Sequence, residues 1–516
     1  MSNDRSWGRV ELDVNVARER VIATPGEDTP FRIALLGDFS GRGGRGIVER
    51  GRALVNRGAV RVDRDDFDDV LARFSPSLAP RLAGDVSVAL RFRELDDFHP
   101  DRLYEQLPLF RELRELRRRL ANPSTFAAAA RELRGTEGEA VRDSALPPPP
   151  PSARSGSLLE DIVGGPLPDV PLAREAGGGA DADEGDLRAV IRRIVAPHLI
   201  PTTDPRQPEM VAQVDAAIAE RMRLLLHHPD VQALEALWRA LFLLVRRLDT
   251  DGGLQLHLID LSRDELVADL AGDGPIEETA LYRLVVDASV GTPGAAPWAL
   301  LAGAYRFGAG GDDAALLARL GAIAAGAGAP FLGEGAPALA GCTSFAEQPQ
   351  VEDWTLPPAP AFERLRASAV APWIGLVAPR VLMRAPYGAA AEAIDSFPFE
   401  EVATPPAHES LLWGNPAMAC VLLLGESFTS AGWSLRPGMT RDIGGLPYHL
   451  VRADGAPSPV PCAEIVLTER GAERLMERGV MALASIKGAD AVRLVRFQSI
   501  ANPLAALAGR WSGARA

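Results

Sequence analysis

Residues 28–135 alternate between short apolar runs and segments with helical spacing of apolar residues. An apolar run that ends in glycine, Phe31–Gly37, predicts a buried strand, and the alternating segments Val60–Val62 and 86–92 predict half-buried strands. Acidic residues just before Phe67–Phe74 favour the positive end of a helix there. Leucines at helical spacing over 103–120 predict a further amphipathic helix.

The pattern after residue 187 again alternates between helices and strands. Residues 209–248 predict one long helix or two consecutive helices with a break at Pro229. The apolar runs 254–260 and 298–303 predict strands, Ser262 is placed to cap a helix over 263–270, and a further helix is predicted over 314–327. The alternation predicts an α/β or α+β fold, with mixed sheets flanked by helices.

A change of composition over residues 136–186 predicts a flexible Pro/Gly-rich linker. Five consecutive prolines occupy 147–151, followed by three glycines at 177–179 and an acidic run at 181–184. The linker divides the chain into an N-terminal extension (1–27), a first domain (28–135), a second domain (187–500) and a tail (501–516).

Composition narrows the class of protein. The 516 residues carry a formal net charge of −14, which argues against nucleic acid as a partner. Three widely separated cysteines form no metal-binding pattern and are typical of a reducing compartment. Neither a signal peptide nor an apolar run long enough to cross a membrane is visible, so we expect a soluble protein of the cytoplasm without a membrane partner.

A glycine-rich loop over 41–46 satisfies the G-x-G-x-x-G pattern of dinucleotide sites. In such sites the glycines let backbone N–H groups approach a pyrophosphate at the start of a helix. Here Asp38, Phe39 and Ser40 separate the strand from the first glycine, and arginines fill two of the variable positions. We interpret the segment as a flexible exposed loop, with a nucleotide-dependent enzyme as the alternative.

Other residues that could carry chemistry lack the spacing that the chemistry needs. The aspartates at 63, 65, 66, 68 and 69 lack the central glycine and closing glutamate of a calcium loop, so we interpret them as helix capping and a solvated face. His227 and His228 are adjacent rather than four apart, and His228 suits the last turn of the helix before Pro229. Ser427 lacks the closing glycine of a nucleophile elbow. We therefore predict no enzymatic activity, no catalytic residue, no metal and no cofactor.

Arginines concentrate over 111–119, where Glu112 and Glu115 interleave with them. The mixed charge favours a solvated or partner-facing amphipathic helix over a nucleic-acid site.

Several motifs in the first domain resemble the small subunit of the type VI secretion contractile sheath, the TssB/VipA-like protein. They are PFRIALLGDFSGR at 30–42, VDRDDFDDVL at 62–71 and ELDDFHP at 94–100. The second domain resembles the large, TssC/VipB-like subunit through HHPDVQALEALWR at 227–239, GTPG at 291–294, LWGN at 412–415 and shorter pieces up to Lys487 and Gly488. The chain thus resembles a fusion of two subunits that are usually separate proteins.

The resemblance implies a structural role in protein secretion. Sheath subunits oligomerise around an inner tube, above a baseplate, and the sheath contracts to propel the tube. A ring-shaped AAA+ unfoldase then disassembles it. Other sheath subunits, the inner tube protein, the baseplate and the unfoldase are therefore the expected partners.

One short segment resembles the helix that the unfoldase recognises. It spans 157–163, and Leu158, Leu159, Ile162 and Val163 form its apolar face. The resemblance makes these four residues the candidate partner-binding site.

The large-subunit resemblance ends near residues 497–499, so we expect a C-terminally truncated large subunit that lacks part of the usual tube-facing and strand-exchanging region. A non-polymerising accessory or adaptor that docks on the sheath or baseplate is therefore the alternative function. Whether the two halves pair within one chain or between chains, and whether the linker is cleaved, stays open.

Overall fold

A computed structural model describes the positions of residues 25–26, 28–82, 86–142, 204–250, 252–272, 274–290, 296–389, 391–453 and 456–512. Most of the predicted linker and its short helix over 157–163 lie outside these ranges. Within them, none of the helices is long and apolar enough to cross a membrane.

The helices of the described residues are α1 (Arg52–Val55), α2 (Phe67–Phe74), α3 (Pro100–Gln106), α4 (Pro108–Ala121), α5 (Pro123–Arg142), α6 (Gln207–Leu226), α7 (Pro229–Arg247), α8 (Arg263–Leu270), α9 (Ala280–Tyr282), α10 (Gly311–Ala327), α11 (Pro337–Ala340), α12 (Pro360–Arg366), α13 (Ala417–Ala431) and α14 (Glu469–Glu477).

The strands are β1 (Phe31–Gly37), β2 (Val60–Val62), β3 (Ser77–Leu78), β4 (Arg81–Leu82), β5 (Val86–Ser87), β6 (Leu90–Arg91), β7 (Leu254–Asp260), β8 (Trp298–Phe307), β9 (Phe331–Gly335), β10 (Ile374–Ala378), β11 (Val381–Leu382), β12 (Trp413–Gly414), β13 (Asp442–Ile443), β14 (His449–Ala453), β15 (Ala456–Val460), β16 (Val480–Ser485) and β17 (Val492–Leu494).

A nine-stranded mixed sheet organises the larger of the two compact units, Met1–Phe110 with Ile218–Ala516. Its order is β13-β17-β16-β10-β9-β8-β1-β7-β2. The six strands from β16 to β7 run parallel to their neighbours, whereas β2 at one edge and β17 and β13 at the other are antiparallel. This arrangement confirms the predicted α/β class with a mixed sheet.

Strand β1 is an inner strand of this sheet, although it comes from the N-terminal part of the chain. It pairs with β7 on one side and β8 on the other, both from the C-terminal part. The edge strand β2 also pairs with β7. Residues 28–110 and 218–512 therefore contribute to one sheet and share one core, while the exact domain boundaries stay a prediction.

Helices cover both faces of the sheet. Ala34 and Leu36 of β1 belong to a buried cluster that includes residues of α8, α10, α12 and α14. Ile33 and Leu35 are also fully buried but lie outside that cluster, because successive residues of a strand point to opposite faces. On their side, α7 and α13 pack together, and α13 also packs against β7, β8 and β9.

The smaller unit, Arg111–Ala217, is held by ion pairs and a hydrogen bond between its helices. Arg117 pairs with Asp215, and Arg119 pairs with Glu132 at 2.8 Å. The Gln207 side chain donates to the carbonyl oxygen of Leu120 at 2.7 Å. Arginines of the basic segment thus bind carboxylates of the same unit.

Two local predictions need correction. The leucine-rich helix predicted over 103–120 is split, because α3 ends at Gln106 and α4 begins at Pro108, which cannot donate a helical N–H bond. The strand predicted over 86–92 is two separate two-residue strands, since β5 pairs with β4 and β6 pairs with β3.

Candidate assembly site at the joint between the two chain segments

The joint is the set of contacts between residues 28–110 and residues 218–512 within the larger unit. Its centre is β1, all seven residues of which pair in parallel with β7, from Phe31 opposite Leu254 to Gly37 opposite Asp260. Five of these residues also pair with β8 on the other side. Because both edges of β1 are occupied, its backbone hydrogen bonds depend on strands more than 200 positions away in sequence.

An aromatic cluster lies beyond the carboxyl end of β1. Trp238 of α7 is fully buried and makes edge contacts with Phe39, Phe67 and Phe74 of the N-terminal segment. Its indole N–H donates to the carbonyl oxygen of Phe39 at 3.0 Å. The tryptophan of the 227–239 motif therefore fills a pocket made by the other segment.

A second aromatic cluster lies at the start of β1. Phe31 stacks on Phe428 of α13 with a centroid distance of 4.6 Å and also contacts Trp433 and Trp511. The Trp433 indole N–H donates to the carbonyl oxygen of Thr29 at 2.7 Å. Both ends of β1 are thus fixed by aromatic residues of the C-terminal segment.

Asp260, the last residue of β7, binds the chain that leaves β1. Its carboxylate accepts from the backbone N–H of Ser40 at 3.1 Å and from the Ser40 hydroxyl at 2.7 Å. Arg42 donates to the same carboxylate at 3.2 Å. These bonds are buried or half-buried, so Ser40 and Asp260 fix the loop against the carboxyl end of β7.

A buried ion pair joins α8 to the loop after α1. The Glu265 carboxylate is fully buried and accepts from the Arg57 guanidinium at 2.5 and 2.9 Å. Arg57 also donates to Glu49 at 2.6 Å and to the carbonyl oxygen of Asp260 at 2.7 Å. Burial raises the pKa of Glu265, but Arg57 and two backbone N–H groups outweigh it and hold this pKa below its usual range.

The glycine-rich loop 41–46 is folded against the protein at its start and exposed over residues 44–46. Gly41 is buried, and the loop contains a short 3-10 turn at Gly43–Arg45. The Asp38 carboxylate accepts from the backbone N–H of Arg42 at 2.7 Å and of Gly43 at 2.8 Å. These N–H groups would have to be free to bind a phosphate, and Asp38 would repel one. The geometry therefore does not support the nucleotide-site alternative.

His228 was predicted to lie in the last turn of the helix before Pro229, and this prediction is wrong. It is the N-cap of α7, where its Nδ1 accepts from the backbone N–H of Asp230 at 3.3 Å. Among the described residues, no group of three or more His, Cys, Asp or Glu side chains is arranged to hold a metal ion. Ser427 is fully buried and its hydroxyl donates to the carbonyl oxygen of Leu423 at 2.7 Å.

The predicted acidic set caps a turn rather than the helix itself. Asp66 is at the N-cap position of α2 but makes no side-chain bond to a helical N–H group. It accepts instead from the backbone N–H of Asp63, whose own carboxylate accepts from the N–H groups of Asp65 and Asp66.

A buried charge cluster stabilises the C-terminal segment behind the joint. Arg384 lies between the carboxylates of Glu235 and Glu401, at 2.7 Å from the first and 2.6 and 2.9 Å from the second. All three side chains are at most 5 % exposed. Burial raises the pKa of Glu401, but Arg384 and His227 outweigh it and hold this pKa at about 2. Arg239 donates a second charged bond to Glu235 at 2.7 Å.

Glu334 of β9 is a buried carboxylate with weaker compensation. It is 6 % exposed, and its oxygen lies 3.2 Å from the half-exposed Arg306. Burial raises the pKa of Glu334 to about 7, with Arg380 and Arg306 opposing the shift.

The sequence motifs contain some of the charged residues described above, such as Arg42 and Glu235, but not their partners Asp260 and Arg384. Arg57, Glu265 and Arg384 carry no motif, and each looks like an ordinary surface charge in the sequence. The four residues predicted to contact an unfoldase, Leu158, Leu159, Ile162 and Val163, lie outside the described residues.

The fold and the joint define a two-part structural body, and comparison with known families identifies its class. Residues 208–501 match the VipB family (EvpB/VC_A0108, tail sheath N-terminal domain), and residues 6–146 match the VipA family (Type VI secretion system, VipA, VC_A0107 or Hcp2). The chain belongs to the VipB tail sheath family and carries a VipA-type region in front of it, which confirms the predicted TssB/TssC-like fusion.

Two proteins of Pseudomonas aeruginosa are similar to its two parts. The type VI secretion system sheath protein TssC1 is 30% identical over 304 residues, which cover 57% of this chain and 61% of TssC1. The sheath protein TssB1 is 26% identical over 144 residues, which cover 27% of this chain and 80% of TssB1. The chain thus spans about three-fifths of the length of TssC1.

Proposed function

We propose that this chain is a fused small-and-large protomer of a type VI secretion contractile sheath. The observation that carries the proposal is the position of β1, a strand of the VipA-type region that lies between β7 and β8 of the VipB-type region. Two families of sheath subunit are thereby joined in one sheet as well as in one chain. The two relatives named as sheath proteins support the same role.

In this proposal the chain does mechanical work and no covalent chemistry. Both segments contribute to one core. A buried hydrogen bond between Ser40 and Asp260 fixes the loop after β1, and the Arg57–Glu265 ion pair fixes the loop after α1. Such a body suits a rigid building block, in which contraction changes the contacts between protomers rather than the fold of each protomer. We propose other sheath subunits, an inner tube protein and a baseplate as its partners, and the cytoplasm as its location.

Electron microscopy of the purified full-length chain, with and without an inner tube protein of a type VI secretion system, tests the proposal. Tubules or cogwheel-like rings are expected for a sheath protomer. Discrete particles under every condition would contradict polymerisation and favour the adaptor alternative. A variant that weakens the joint without touching the surface, Trp238→Ala, should lose both tubules and folded stability, whereas the exposed-site variant Arg470→Met should keep them.

Cleavage of the linker tests whether the joint itself holds the two segments together. A specific protease site inserted after Pro151 separates the VipA-type and VipB-type regions covalently. The two fragments should still elute together on gel filtration and separate only in denaturant, because β1 cannot leave without breaking bonds along both of its edges. Separation of the fragments in native buffer would contradict the role we give to β1.

We also propose that a ring-shaped AAA+ unfoldase binds Leu158, Leu159, Ile162 and Val163. Pull-down by the unfoldase should be lost in Leu159→Asp and Ile162→Asp and kept in the matched control Val170→Asp, which lies outside the apolar pattern. Equal pull-down of all three variants would contradict the assignment.

A further inference from the structure

We propose that Arg32 and Arg510 form a binding site for an oxyanion, a phosphate or carboxylate group, at the start of β1 and β8. Both guanidinium groups contact Trp298, the first residue of β8. The guanidinium carbon of Arg32 lies 4.0 Å from the centre of the indole ring, and Arg510 Nε donates to the carbonyl oxygen of Trp298 at 3.0 Å. The site is separate from the sheath role, since the contacts of the joint do not depend on it.

The two arginines reach Trp298 on the same side of the sheet. Trp298, Ala34 and Ala327 belong to one buried cluster on the face that α10 covers. Arg32 lies two residues before Ala34 in β1 and therefore points to that face, because side chains alternate along a strand. Arg510 donates a second bond to the carbonyl oxygen of Ala327, the last residue of α10, at 2.7 Å. Both positive charges thus lie where α10 ends and β8 begins.

Neither arginine has an acidic partner. Within the described residues no carboxylate pairs with Arg32 or Arg510, and burial lowers the pKa of both guanidinium groups. Their bonds to the backbone go to the carbonyl oxygens of Ala296, Trp298 and Ala327. The end of α10 supplies about half a negative charge, which two full positive charges exceed. Charged side chains are rarely buried unless they are paired, so this end of the sheet has an excess of positive charge.

Each guanidinium keeps one nitrogen for a ligand. Arg32 uses Nη1 for the carbonyl oxygen of Ala296 and Nε for His257, while Arg510 uses Nε and Nη2. Within the described part of the chain, Arg32 Nη2 and Arg510 Nη1 have no hydrogen-bond partner and are not among the buried nitrogens, so solvent reaches both. Guanidinium groups form strong, charge-assisted bonds with phosphate and carboxylate oxygens. An oxyanion can therefore reach the two donors from solution.

His257 responds to the same excess of positive charge. Its side chain is buried, and its ring lies edge-on to Trp298 with a centroid distance of 5.2 Å. Burial and the charges of Arg32 and Arg61 lower the pKa of His257 to about 4. The imidazole is therefore neutral, and its Nε2 accepts from Arg32 Nε at 3.4 Å. A neutral histidine leaves the two guanidinium groups as the cations that an anion would bind.

Isothermal titration calorimetry of the full-length chain with inorganic phosphate, at an ionic strength held constant with sodium chloride, tests the site. Phosphate should bind to the parent protein at a single site. Arg510→Met and Arg32→Met each remove charge-assisted bonds and should weaken phosphate binding by about tenfold or more. Arg32 is only half-buried, so its variant keeps the test decisive if Arg510→Met fails to fold.

The matched control is Arg91→Met. Arg91 is an exposed residue of β6, and β6 pairs with β3. The first residue of β3, Ser77, donates its backbone N–H to Ser40, beyond the carboxyl end of β1. Arg91 therefore lies toward the opposite end of the sheet from Arg32, and its variant should bind phosphate as tightly as the parent.

A competition titration with sodium acetate distinguishes the two sources of the oxyanion. If acetate displaces phosphate, the site takes carboxylates, which acidic side chains of a partner protein supply. If acetate does not displace it, the ligand of the site carries phosphate. No binding of either anion to the parent protein, or equal phosphate binding by the parent and both site variants, would overturn the inference. Tubules in the microscope without phosphate binding would leave the sheath proposal standing and remove only the anion site.

Discussion

Replacement of Arg384 by methionine is the most direct test of how the C-terminal segment holds its buried charges. Arg384, Arg239, Glu235 and Glu401 together form a cluster with equal numbers of positive and negative charges. Arg384→Met keeps most of the side-chain volume but leaves one buried negative charge uncompensated. Glu401 keeps only the backbone N–H of Tyr387 at 2.8 Å and His227 at 3.6 Å.

The expected loss of stability is large because Arg384, Glu235 and Glu401 are all buried. Removing one partner of a buried ion pair costs about 3–5 kcal/mol. The control Arg470→Met makes the same chemical change in an exposed pair, in which Arg470 and Glu352 are 76% and 59% exposed, and such pairs contribute only about 0–1 kcal/mol. With a urea m value of about 3 kcal/mol/M, Arg384→Met should lower the unfolding midpoint by roughly 1–1.7 M.

The pH dependence gives a second, independent readout. In the native protein the pKa of Glu401 is about 2, below its unfolded value, so its contribution to stability is present above pH 4.5 and is lost as the pH falls toward 2. Without Arg384, burial dominates and raises this pKa above its unfolded value. The cost of Arg384→Met should therefore be greatest at neutral pH and shrink on acidification toward pH 5.

Urea unfolding followed by tryptophan fluorescence at pH 7.5 and pH 5 measures both effects. A midpoint shift no larger than that of Arg470→Met, or a cost that does not change with pH, would refute the reasoning.

Three further predictions concern single side chains. Arg57→Met should lower the free energy of unfolding by about 3 kcal/mol, because it leaves the fully buried Glu265 without its cation. Arg57→Lys keeps a positive charge and should lose less of the free energy of unfolding. Urea unfolding measures both variants. Gly41→Ala should lower the free energy of unfolding by about 2 kcal/mol or more, because its φ is +71° and a Cβ would lie 2.6 Å from a backbone oxygen. The control Gly46→Ala, with a φ of +68° but no atom within 4 Å, should cost about 1 kcal/mol. Thermal unfolding measures both, and equal costs would contradict the steric argument. Glu334→Gln should stabilise the protein at pH 8 by up to about 3 kcal/mol. The folded pKa of Glu334 is about 7, so the stability that its protonated form contributes below pH 4.5 is lost as the pH rises through 7. Urea midpoints at pH 5 and pH 8 test this, and a pH dependence equal to that of the parent protein would contradict it.

Sequence patterns predict the elements of this fold well where the signal is local. The bounds of β1, β7, α2 and α8 agree with their predicted bounds, because apolar runs and capping residues are short-range features. Ser262 caps α8 as predicted and forms a capping box with Glu265. The break between α6 and α7 follows from Pro229.

Sequence patterns do not predict which strands are neighbours. Nothing within Phe31–Gly37 indicates that it lies between Leu254–Asp260 and Trp298–Phe307, because pairing over such distances leaves no periodic signal. Composition predicts a division into two domains at the linker, whereas the nine-stranded sheet takes strands from both sides of the linker. The fully buried charges are invisible for a similar reason: Glu265 and Arg57 become a pair only through the fold.

The inner position of β1 has a consequence for biosynthesis. Phe31 to Gly37 leave the ribosome long before the last residue of β8 that pairs with them, Gly303. At about 5–20 residues per second, the wait is roughly 13–53 s, during which the nascent apolar segment has neither neighbour. Such high contact order slows folding and exposes the chain to aggregation or to chaperones. A fused gene guarantees that the two neighbours of β1 arrive on the same polypeptide, so the strand never has to find them by diffusion through the cell.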